Sequence, residues 1–127
     1  MALLDPNETM KARAEMLNIG GRGLALINGG GAVALAAFLQ AIWNNDGAAD
    51  VMKPYLLWGM VVLVVGVFFA SVIFVFRYLG SFHQQAARPF HNPWWWSQMV
   101  VYLLSSLCFL AGMAIAIRGG FVSLSAP

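Results

Sequence analysis

The residues of this sequence that could do chemistry are two histidines, one cysteine and five carboxylates. His83 and His91 stand in the stretch FHQQAARPFHNPWWW with Pro89 between them. A zinc site needs three or four donors, and a haem needs an axial ligand held inside its pocket. No carboxylate or thiol accompanies these histidines, and both lie outside the apolar runs in which a haem or chlorophyll ligand would sit. They read as polar residues of an interfacial loop. Cys108 is the single cysteine, so no intramolecular disulfide can form. It falls within an apolar run, where a thiol behaves as a small hydrophobe. The sequence contains no nucleophile–base pair, no phosphate-binding glycine loop and no zinc spacing. The expectation is a non-enzymatic protein with no metal site, no intrinsic cofactor and no small-molecule substrate.

Two further features could bind something. Asn28 is an amide inside an apolar run, and such a group usually hydrogen-bonds a neighbouring membrane helix. A ligand role is the alternative reading. Trp94, Trp95 and Trp96 are consecutive. On a helix their rings point in three directions, so at least one must face lipid, a pigment or a partner. Interfacial anchoring is the default for tryptophan in a membrane protein, and a partner-contacting hot spot is the second option. Lipid, bacteriochlorophyll or carotenoid could touch these rings as neighbours.

The elements that carry these residues are set by hydropathy. The chain has 127 residues, 61% hydrophobic and 9% charged. A soluble domain carries roughly 25% charged residues, and one this small has too little interior to hide so much apolar surface. A net charge of +2 is too small for a nucleic-acid footprint. The sequence therefore predicts an all-α integral membrane protein with a single membrane domain over 1–127. Its three transmembrane helices are expected at 23–43, 55–76 and 97–117. Each run is long enough to cross a hydrocarbon core about 30 Å thick, and none has a charge inside it. Ion-coupled transporters and proton pumps nearly always need one there. Asn44, Asn45, Asp46 and Gly47 end the first run. Pro54 suits the first turn of the second helix. Gly119 and Gly120 stop the third, leaving 121–127 as a short apolar tail.

Residues 5–20 carry their own helix signals. Asp5-Pro6-Asn7-Glu8 reads as a capping box with proline at the first helical position. Glu8, Lys11 and Glu15 then oppose Met10, Ala14 and Leu17, as in an amphipathic helix lying on the membrane or running into the first span. Gly20, Gly21 and Gly23 predict a bend between the two. The acidic residues and the length of this segment argue against a cleaved signal.

With three spans, the N-terminus and the second connector share a side. That side holds Lys11, Arg13, Arg22, Arg77 and Arg88; the other holds Lys53 and Arg118. The positive-inside rule puts the N-terminus in the cytoplasm and the C-terminus in the periplasm of a bacterial inner membrane. Trp43 and Trp58 would anchor the outer interface, and Trp94, Trp95 and Trp96 the inner one.

Small residues mark candidate packing or partner faces, because they let helix backbones approach closely. Span one offers Gly30 and Ala34, with further pairs at Ala32/Ala36 and Ala37/Ala41. Span two offers Gly59, Gly66 and Ala70. Span three offers Ser105, Cys108, Gly112 and Ala116.

The stretch LINGGGAVALAAFLQAIW, followed by LLWGMVVLVVGVFFA, resembles a family of small membrane proteins of proteobacteria. In that family a cytoplasmic amphipathic helix leads into an Asn-Gly-Gly-Ala-rich first span. The resemblance covers the first two spans and carries no catalytic residue; the tryptophan-rich third segment departs from it. Together these features predict an accessory or structural subunit that docks on other integral membrane subunits of a larger complex. A photosynthetic reaction centre with its light-harvesting antenna, or a respiratory complex, is the kind of host expected. The alternative is a small homo-oligomeric pore of the holin type, although the tail lacks the usual charged cluster. A multidrug exporter would need a fourth span and a membrane-embedded glutamate. An antenna polypeptide would need a histidine within a span.

Overall fold

The computed structural model describes residues 6–45, 47–83 and 93–125. Every element among them is an α-helix: α1 (Pro6–Ile42), α2 (Ala48–His83) and α3 (Pro93–Ser125). Stretches within them, Lys11–Ile42, Ala49–Leu79 and Trp96–Ser125, are each long and apolar enough to cross a membrane. This is the architecture of a multi-pass membrane protein. A lipid-facing backbone must satisfy its own hydrogen bonds, and a helix does so within one segment. That requirement overrides the strand preference of the valines and phenylalanines in α2.

α2 is the central element and packs against both α1 and α3, while α1 and α3 meet over a shorter stretch. The buried apolar residues are few and small to medium in size: Ala32 and Leu39 from α1, Leu56, Leu63, Ala70 and Ile73 from α2, and Val101 from α3. Large apolar side chains such as Leu26, Val33, Trp58, Phe68, Leu103 and Leu110 point outward. This inversion of the soluble pattern is what a lipid solvent permits, because an exposed leucine costs nothing there.

The helices run beyond the expected spans, for local reasons. α1 is continuous through Gly20, Gly21 and Gly23, with no break where a bend was expected. Gly20 and Gly21 instead make room for a ring: a Cβ on either would lie 3.2–3.3 Å from the Tyr102 hydroxyl oxygen. α2 begins at Ala48, so Pro54 is inside the helix and not in its first turn. The added turn is held by Lys53, whose ammonium donates to Asn45 O at 3.0 Å and pairs with Asp50 at 2.5 Å. Gly47 turns the chain from α1 into α2 at φ +78°, a left-handed conformation that glycine adopts without Cβ strain. α3 continues through Gly119 and Gly120 to Ser125. Gly119 is buried against Tyr55; a Cβ there would lie 2.5 Å from Tyr55 Cβ. Its glycine signal marks close packing of α2 on α3, not a stop.

Candidate functional site

The polar centre of the molecule is a clasp joining all three helices. Asn28 of α1 and Ser105 of α3 are both fully buried, at 0% exposure. The Asn28 Nδ2 donates to Leu24 O in its own helix at 3.0 Å, and shares its remaining contacts between Ser105 Oγ at 3.3 Å and Ser105 O at 3.4 Å. The Ser105 hydroxyl in turn donates to Gly66 O of α2 at 2.9 Å. One side-chain relay therefore runs from α1 through α3 to α2. In hydrocarbon no water competes for these donors, and an interhelical bond of this kind contributes about 0.6 to 1.7 kcal/mol.

Glycine makes the clasp fit. A Cβ on Gly66 would lie 2.6 Å from Asn28 Cγ and 3.0 Å from Cys108 Cβ. The hydrogen at that position points at the amide, so the Cα–H of Gly66 faces Asn28 Oδ1. That oxygen is buried with no hydrogen-bond donor among the described residues, and a Cα–H contact is the weak partner such geometry provides.

Nearer the α1–α2 turn, the backbones of α2 and α3 come together at Gly59 and Gly112. A Cβ on Gly59 would lie 2.9 Å from Gly112 O, and one on Gly112 would lie 3.0 Å from Gly59 O and 2.8 Å from Leu63 Cγ. Leu63, fully buried, fills the adjoining space and reaches α1 at Gly31, where a Cβ would sit 3.1 Å from its Cδ1. At the opposite end Tyr102 donates its hydroxyl hydrogen to Leu17 O, fastening α3 to the early part of α1.

The structure thus brings Asn28, Gly66 and Cys108 into one cluster. Gly112 and Ala116 lie together against Gly59. Gly30 and Ala34 are placed elsewhere: both are exposed on the outer side of α1, and no described residue lies within 4 Å of a Cβ added to Gly30. The inward face of α1 is Gly21, Asn28, Gly31, Ala32 and Leu39. Trp43, Trp58 and Trp96 point outward. Trp58 lies eight residues before Gly66, and Trp96 nine before Ser105, so each is about 12–14 Å along its helix from the clasp, on opposite sides. That separation matches the half-thickness of a hydrocarbon core about 30 Å thick. The Trp43 ring also takes the Lys53 ammonium at 5.9 Å from its centroid. The side chains of Trp94, Trp95 and His83, together with all of His91, lie outside the described residues. The contribution of Ser105 as a hydrogen-bond donor, and of Tyr102, was not evident in the sequence. Ser105 appeared only as a small residue of a stripe, and Tyr102 had no local signal.

No protein-family model matches the chain, nor does any curated protein or solved structure.

Proposed function

We propose that the chain is a non-enzymatic accessory subunit of a bacterial inner-membrane complex, docking on its host through the outer face of α1. One observation carries this reading. The internal packing of α1 uses the face of Asn28, Ala32 and Leu39, while Gly30, Ala34, Ala37 and Ala41 remain exposed. Small residues turned toward lipid gain nothing there, whereas against another helix they allow close backbone contact. The excess of Lys and Arg on the N-terminal side supports an N-terminus in the cytoplasm. An energy-transducing assembly, photosynthetic or respiratory, is the host class favoured by a small subunit with aromatic anchors and no reaction chemistry; bacteriochlorophyll or carotenoid would then be neighbours of the tryptophans. The pore alternative lacks comparable support, because the buried amide and hydroxyl are turned inward within one chain.

The test is affinity purification of the tagged full chain from its native membrane in mild detergent, followed by an absorption spectrum and identification of the co-purifying subunits. Stoichiometric co-migration with pigment- or haem-bearing subunits is expected, and Gly30→Leu should abolish it. Migration as a free monomer or homo-oligomer alone would overturn the reading.

A further inference from the structure

We infer that the chain holds an anionic phospholipid headgroup at the crossing of α1 and α2, on Arg22 and Arg77. Gly21 packs against α2: a Cβ there would lie 3.6 Å from Phe74 Cζ and 3.8 Å from Ile73 Cγ2. Arg22 is the next residue of α1, and Arg77 stands one turn beyond Phe74 on the same side of α2. The two guanidinium groups therefore flank one crossing. Arg22 is exposed and Arg77 half-buried, and neither forms an ion pair or hydrogen bond with another described residue.

Depth supplies the second part of the argument. Arg22 precedes Asn28 by six residues, about 9 Å along the helix from the centre of the spans. The half-thickness of the core is about 15 Å. Arg22 thus starts inside the hydrocarbon and must extend its side chain toward the headgroups, while Arg77 starts about 16 Å from Gly66, at headgroup level. The phosphate of a lipid drawn inward between them satisfies both. On the opposite side of Arg22 from the headgroups, Leu26 and Val33, both exposed, continue the same helix stripe as an apolar track for the acyl chains, and Gly29 between them faces Val67 of α2. At the other end of the bundle the cations differ. Lys53 is neutralised by Asp50, which leaves Arg118, exposed on α3, as the one cation of that end without a neutralising partner among the described residues.

The experiment uses the full chain in detergent, offered equal amounts of dioleoyl phosphatidylglycerol and dioleoyl phosphatidylcholine, with retained lipid counted by native mass spectrometry. The wild-type chain should retain phosphatidylglycerol preferentially. Arg22→Gln and Arg77→Gln should each weaken that preference about fivefold, and Arg118→Gln should leave it unchanged. Equal retention of the two lipids by the wild-type chain would overturn the inference without recourse to any variant. So would an undiminished preference in the Arg22→Gln/Arg77→Gln double variant, or its loss in Arg118→Gln.

Discussion

The Asn28 amide meets the Ser105 hydroxyl at 3.3 Å, and that hydroxyl passes the contact on to the Gly66 carbonyl at 2.9 Å. Three helices with few large buried side chains are thus registered by two polar ones. Asn28→Ala removes the donor and leaves a small void, and should destabilise the folded chain by about 1 kcal/mol. Steric-trap or mixed-micelle unfolding measures this. A variant as stable as the wild type would show that the clasp adds nothing.

Gly66 and Gly30 should respond in opposite ways to the same change. Alanine at 66 drives a methyl into the Asn28 amide and Cys108 Cβ, both fixed by their own helices, and should cost about 1–3 kcal/mol. Alanine at 30 meets nothing and gains helix propensity, so the isolated chain should be unchanged or more stable by up to about 1 kcal/mol. Comparing the two variants in one unfolding assay checks the assignment of the inner and outer faces of α1. Equal losses would refute it.

How much of this was legible beforehand depends on what each residue type signals. The three spans followed from apolar runs free of charge, and Asn28 stood out as an amide within one of them. Gly66, Cys108, Gly112 and Ala116 were recognisable as small, and they do lie at helix contacts. The spacing that singled out Gly30 and Ala34 could not say which side of α1 faces inward, because every side of that helix is apolar or small. Gly20, Gly21 and Gly119 were read as bends or stops, the meaning glycine has in water. In a helix surrounded by lipid the same residue leaves room for a neighbour, here Tyr102 or Tyr55, and the backbone stays helical. Long-range pairs such as Tyr102 with Leu17 have no local signature at all.

The contact of Gly59 with Gly112 predicts non-additivity. Either glycine changed to alanine presses on the other's carbonyl and should cost about 1–3 kcal/mol. Once α2 and α3 have moved apart for one methyl, the second should cost less, so the double variant falls short of the sum. A double-mutant cycle in detergent measures the coupling, and strict additivity would mean the two positions do not share one contact.

Tyr102→Phe removes only the hydroxyl that Leu17 O accepts. A loss of about 0.5–1.5 kcal/mol is expected. Hydrogen exchange should quicken over residues 11–21 of α1 and stay unchanged in the middle of α2. Unaltered exchange in α1 would show that this end of the helix is held by ring packing alone.

The clasp also dictates an order of events during synthesis. Asn28 and Ser105 are separated by 77 positions. At about 5–20 residues per second, several seconds pass between the ribosome's addition of the first and of the second. Throughout that interval the Leu24 carbonyl of its own helix is the clasp partner already at hand for the Asn28 amide. The first span must therefore wait in the bilayer with this amide unassembled, and synthesis of the α3 segment is what releases it into the finished bundle.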